Sequence, residues 1–187
     1  MNKLTAYFES IGFSGEPLHK ISEAIEVKTY KKYDYVVQEG KTSRHLGFVE
    51  SGVFQYYVIL DGEEKTTYVN IENTFLASVM SFVSETPALE NIRALTDGCI
   101  SLISRANLKR LVEEIPSFKN FYINLLEFAV CGIDESRHDL IVLNAEQRYE
   151  KMLRKQPQLL QHIPLQHLAS MLGITARHLS RIRNNIR

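Results

Sequence analysis

The chain has 187 residues, 44% hydrophobic and 24% charged, with 22 basic and 22 acidic side chains. That composition describes a soluble globular protein of one large or two small domains, and no stretch is long and apolar enough to cross a membrane. Cys99 and Cys131 stand far apart without a CxxC, and the six histidines form no HxH or HExxH pair. Neither a metal site nor an iron–sulfur cluster is therefore expected. The first residues lack the basic start, apolar core and small-residue cleavage site of a signal peptide, so a cytoplasmic location with reduced thiols is expected.

In chain order, residues 1–25 suggest one or two short helices, carried by Leu4, Tyr7, Phe8 and Ile11 and then by Leu18, Ile21 and Ile25. From Val27 the pattern changes to short strands of β-branched and aromatic residues. Glu39-Gly40, Ser51-Gly52, Asp61-Gly62 and Asp97-Gly98 punctuate them. Asp61-Gly62 lies between Val53–Leu60 and Lys65–Ile71 and is the strongest hairpin signal. Strands broken by glycine turns about every ten residues indicate an antiparallel sandwich or barrel. A short helix is expected around Leu76–Val83, before Pro87.

Asn107–Glu114 is amphipathic, and Pro116 suits the first turn of a new helix. Within Phe118–Ile133, eleven of sixteen residues are apolar or cysteine. They cover roughly 220° of the helix, about double the stripe of a helix lying on one core. Such a helix needs cover on two sides: its own barrel on one and a symmetry-related copy on the other. The polar run Asp134–Asp139 is placed near its end, where the dimer meets the last part of the chain. A further helix starts at Asn144, with Gln147 reaching back to its start, and ends at Gln156-Pro157.

Leu165 to Ile186 reads as two short helices joined by a tight turn. Ala169 suits a close helix approach, Gly173 a left-handed stop and Thr175 an N-cap. Leu168, Leu172, Ile174, Leu179 and Ile182 form a small core at i, i+3 and i, i+4 spacing. Residues 144–187 carry eight basic and two acidic side chains, net +6, against −6 for residues 1–143. A basic helix-turn-helix is a device for the DNA major groove. Its expected contact residues are Thr175, Ala176, Arg177, Ser180, Arg181, Arg183 and Asn184. Arg183, Asn184 and Arg187 suit phosphate rather than bases, and no room for a C-terminal wing follows.

With these motifs the whole chain resembles the Crp/Fnr superfamily of transcription regulators. The most specific stretches are Tyr33–Gly52, Leu111–Pro116 and Leu168–Ile182. The resemblance implies an α+β fold: an N-terminal antiparallel β-roll of the cyclic-nucleotide-binding type (1–115), a dimerisation helix (116–143) and a helix-turn-helix domain (144–187). It implies a homodimer on palindromic double-stranded DNA, with half-sites about 34 Å apart, and no enzyme activity. The family's cyclic-AMP receptors carry Phe-x-Gly-Glu and then Arg-Ser/Thr-Ala. Anchored on Phe75 and Ile92-Arg93-Ala94, the Gly-Glu pair falls on Ala77-Ser78 and the phosphate arginine on Ala88. Cyclic AMP is therefore not expected to bind. Arg93 replaces the lost cation only if it points inward, and the effector stays unknown. The oxygen-sensing branch's N-terminal cysteines are absent. Of the three base-reading positions, at Ala176, Arg177 and Arg181, only the last keeps the family's usual arginine. The alternative is a small-molecule-binding barrel whose C-terminal helices mediate protein contacts.

Overall fold

Among the described residues, eight strands make two four-stranded antiparallel sheets that enclose a shared core. The computed structural model describes residues 2–155 and 157–185; the readings that fell on Gln156, Ile186 and Arg187 lie outside the described residues. Helices α1 (Lys3–Ser10) and α2 (Gly15–Glu23) precede β1 (Ile25–Tyr30), β2 (Tyr35–Val37), β3 (His45–Ser51), β4 (Phe54–Leu60), β5 (Glu63–Asn70) and β6 (Phe75–Leu76). After α3 (Val79–Ser84) come β7 (Asn91–Ala94) and β8 (Gly98–Ser104). Helices α4 (Arg105–Glu114), α5 (Pro116–Val142), α6 (Ala145–Lys155), α7 (Pro157–His162), α8 (Leu165–Met171) and α9 (Ala176–Asn185) complete the chain.

One sheet runs β1-β8-β3-β6 and the other β2-β7-β4-β5. The β4–β5 hairpin closes at Asp61 (φ 53°) and Gly62 (φ 79°). Two successive positive φ values match the right-handed strand twist, and glycine adopts the second without a Cβ clash. Between the sheets lie Val49, Phe54, Ile92, Ala94 and Ile100, all fully buried. The helix expected around Leu76–Val83 begins later, because Phe75 and Leu76 pair with Phe48 and Gly47 as a short edge strand.

A second core forms where α1, α2, α4 and the start of α5 cover β3. Phe8, Phe48, Leu111 and Phe118 are at most 2% exposed there, and Tyr7, Phe75 and Phe121 close over them edge to face. Glu50 pins α1 to this sheet. Its carboxylate accepts the Lys3 and Leu4 amide hydrogens (2.6 and 3.1 Å) and the Ser101 hydroxyl (2.6 Å). A carboxylate at a helix N-terminus satisfies donors that have no partner inside the helix.

Helix α5 takes Pro116 in its first turn, where the missing N–H costs nothing. Phe118 is buried against the roll, but Ile123, Val130, Ile133 and Leu140 remain 42–63% exposed. Together with the half-buried Leu126 they recur at alternating spacings of three and four, with Arg137 in the remaining position of that seam.

Candidate nucleic-acid interface

The helices that follow Asn144 are built from local signals. Asn144 and Gln147 cap α6 reciprocally: the Asn144 amide hydrogen donates to Gln147 Oε1 (2.9 Å), and the Gln147 amide hydrogen to Asn144 Oδ1 (3.0 Å). A further short helix, α7, unforeseen in the sequence, begins at Pro157. Between α8 and α9, Gly173 adopts φ 69°, the left-handed geometry that reverses the chain. Thr175 Oγ1 accepts the His178 amide hydrogen (3.2 Å) at the start of α9. Leu168, Ala169, Leu172, Leu179 and Ile182 are buried at 0–3% exposure, with Ile174 packed beside them.

All seven sequence-derived contact residues are exposed: Thr175, Ala176, Arg177, Ser180, Arg181, Arg183 and Asn184. Ser180, Asn184, Arg177 and Arg181 share one face roughly 100° wide at helical spacing, while Arg183 lies on its flank nearer the core. Among the described residues, none of Arg177, Arg181 and Arg183 forms an ion pair. Helix α9 holds no acid, so three unneutralised guanidinium groups stand on one small surface.

Three ties hold this surface to the rest of the molecule; the sequence placed the polar run Asp134–Asp139 at this junction, but not the partners that meet it. Lys151 on α6 bridges Asp139 (2.5 Å) and Glu135 (2.8 Å) at the end of α5, and Lys155 adds a second contact to Glu135. The hydrogen bonds from Lys151 and Lys155 draw the Glu135 carboxyl down to about 2. Arg148 donates to the Leu172 carbonyl (2.6 Å) at the helix-turn-helix bend.

The third tie is to the roll. Val53, Val69 and Leu95 pack into the same apolar cluster as Leu168 and Ile163. Beside them Gln55, fully buried, donates to Thr66 Oγ1 (2.7 Å) and His167 Nδ1 (3.2 Å) and accepts from Arg93 Nε (3.1 Å). The Thr66 amide hydrogen donates to Ser170 Oγ (2.9 Å). His167, which belongs to no histidine motif in the sequence, is thus part of the joint between α8 and the roll. The polar Gln55 inside the apolar run Val53–Leu60 was the available signal for this contact.

The stretch aligned with the nucleotide cradle is filled from within. Tyr56 is buried, and its hydroxyl donates to the Ala77 carbonyl (3.2 Å) and accepts the Ala77 amide hydrogen (3.1 Å); burial pushes its pKa well above the usual phenol range. Tyr68 meets its ring edge-on at 5.8 Å. Ser78 donates to Glu90 (3.1 Å), and burial lifts the Glu90 carboxyl above the usual carboxylate range. Ala88 is 2% exposed. Arg93 does not point inward: its neighbours Ile92 and Ala94 face the interior, whereas it pairs with Glu64 and lies over the Tyr57 ring at 4.5 Å. A cavity of about 290 Å³ opens elsewhere in the roll, between Tyr30, Val36, Lys41, Arg44, His45 and Leu102.

Residues 27–115 match the cyclic nucleotide-binding domain family, just under half of the chain. No curated protein matches the sequence. Among solved structures, FixK2 from Bradyrhizobium japonicum superposes with a TM-score of 0.75 at 14% identity, covering 87% of this chain and 84% of that one. The fold is that of the Crp/Fnr regulators. A CooA variant from Carboxydothermus hydrogenoformans gives 0.73 at 17% identity over 96% and 82% of the two chains. The c-di-GMP responsive global regulator CLP from Xanthomonas campestris gives 0.65 at 17% identity over 91% and 90%. These superpositions take in 87–96% of this chain, more than the roll alone.

Proposed function

We propose that this chain is a sequence-specific, DNA-binding transcription regulator that acts as a homodimer and is not an enzyme. The observation that carries this reading is the exposed face of α9, whose arginines have no acidic partner among the described residues. Such a face supplies both phosphate neutralisation and bidentate guanine recognition. Arg181 is assigned to a base edge, Arg177 and Ser180 to its neighbours, and Arg183 to phosphate.

The α5 seam supports the dimer. Apolar residues three and four apart meet a second copy of themselves in a two-stranded coiled coil, and a polar side chain such as Arg137 in one seam position specifies register. A second copy leaves the polar face of α5 free for the Lys151 tie to α6.

The roll of this regulator is not a cyclic-AMP receptor. Tyr56 already uses the Ala77 amide hydrogen, Glu90 places an acid at the cradle, and Arg93 is engaged on the opposite face. A desolvated phosphate there would lack a cation. The 290 Å³ cavity is the room the roll offers a small effector.

Selection of bound duplexes from random sequence, followed by a salt titration, tests the reading. Several phosphate contacts per dimer make log K fall steeply with log salt. A chain that stays monomeric and ignores duplex DNA at low ionic strength refutes it, and favours the alternative of a binding barrel with a protein partner.

A further inference from the structure

The first half of β4 is buried on both faces. Phe54 and Tyr56 point into the roll, so Val53, Gln55 and Tyr57 on the alternate face would meet solvent in an isolated roll. Instead all three are at most 6% exposed, and α8 covers Val53 and Gln55. A fully buried glutamine is costly unless every polar atom is matched. Here each is matched, and only because the terminal domain is in place: Thr66 and Arg93 come from the roll, His167 from α8. Helix α9 shares its core with α8, so whatever orients α8 orients the reading face.

We propose that Gln55 and His167 are positioning residues for DNA binding: they lock α8 onto the roll of the same chain and so set where α9 stands. The assignment rests on the regulator reading above. The locked arrangement is the binding-competent one, because it leaves Arg177, Ser180 and Arg181 exposed and removes orientational freedom that DNA would otherwise have to freeze.

The lock requires a neutral imidazole. The Gln55 amide brings a hydrogen to Nδ1 of His167, with Thr66 Oγ1 3.2 Å from the same nitrogen, and an imidazolium cannot accept it. The charged or titratable groups facing it are Arg93 on β7, Glu64 on β5, and Lys32 and Tyr33 in the β1–β2 turn; its neighbours on α8, Gln166 and Ser170, carry no charge. Burial first, then Arg93, hold His167 below its ordinary 6.5, with Glu64 opposing. The released domain therefore binds the proton more readily than the locked one. Locking is fully favoured above pH 6.5 and weakens as pH falls below it.

The test is DNA affinity between pH 7.5 and 5.5, on a duplex selected by the wild-type protein. The readout is the difference from His167→Asn, which cancels every effect of pH that does not pass through His167. Wild type loses affinity on acidification relative to the variant, up to about tenfold per pH unit per protomer, the limit for one coupled proton. Gln55→Leu lowers affinity about tenfold, an ordinary coupling between sites, with the salt slope unchanged because no phosphate contact is lost. A Thr66→Cys/Ser170→Cys pair closed by oxidation keeps DNA binding and abolishes the pH difference. If oxidation abolishes binding and reductant restores it, the locked state is the inactive one and the assignment is overturned. Superimposable pH profiles of wild type and His167→Asn overturn it as well. A chain that binds no duplex at all overturns the regulator reading, and this assignment with it.

Discussion

Ile133→Asp in the α5 seam is expected to separate the dimer. Ile133 is 58% exposed in the single chain. Complete burial of an isoleucine stabilises by at most about 3 kcal/mol, so roughly 1.5 kcal/mol per copy is available to a partner. The substitution enters both copies, which makes the loss about 3 kcal/mol, or roughly a hundredfold in the dimer dissociation constant. Two aspartates facing each other across the seam add repulsion, so this is a lower bound. Sedimentation equilibrium over a concentration series measures the constant directly. Asn124→Asp, which adds the same charge away from the seam, controls for net charge and should leave it within about threefold, the usual span of a surface change. Equal dimer constants for wild type and Ile133→Asp would refute the seam, and equal loss in the control would refute its location.

Arg181→Ala should cost about 1–3 kcal/mol of DNA affinity and relax preference at one base position; competition with single-base variants of the selected duplex measures both. Uniform loss across all sequences would make Arg181 a phosphate clamp instead. Tyr56→Phe removes one hydroxyl and leaves the Ala77 amide without its partner, for an expected destabilisation of about 1–3 kcal/mol in denaturant unfolding. An unchanged midpoint would mean that the hydroxyl does not hold the cradle. Glu135 should titrate near 2 by carboxyl NMR. Its carboxyl lies below the unfolded value, so its share of the α5–α6 tie is complete above about pH 4.5 and disappears as pH falls toward 2. An ordinary carboxylate titration would show that the Lys151 and Lys155 contacts are not maintained in solution.

Much of the architecture was legible because its causes are local. Asp61-Gly62, Pro116, the Asn144–Gln147 cap, Gly173 and Thr175 each act within a few residues, by a backbone angle or a missing donor. The small core of Leu168, Leu172, Leu179 and Ile182 follows from helical spacing alone. Exposure of the seven expected contact residues follows from the same periodicity, since that core occupies the other side of α9.

The direction of Arg93 was not legible in that way. Its alternation gave two choices of face, and only the pairing of Arg93 with Gln55 across β7 and β4 decides between them. The filling of the cradle by Tyr56 likewise depends on Ala77, twenty-one residues distant. The joint among Gln55, Thr66 and His167 spans up to 112 residues. Sequence alone determined most of the elements and the basic, acid-free character of α9, because hydrogen bonding and periodicity act over one or two turns. Which polar side chains of the roll are buried, and against which partners, was decided by tertiary packing, because desolvation depends on every neighbour in space.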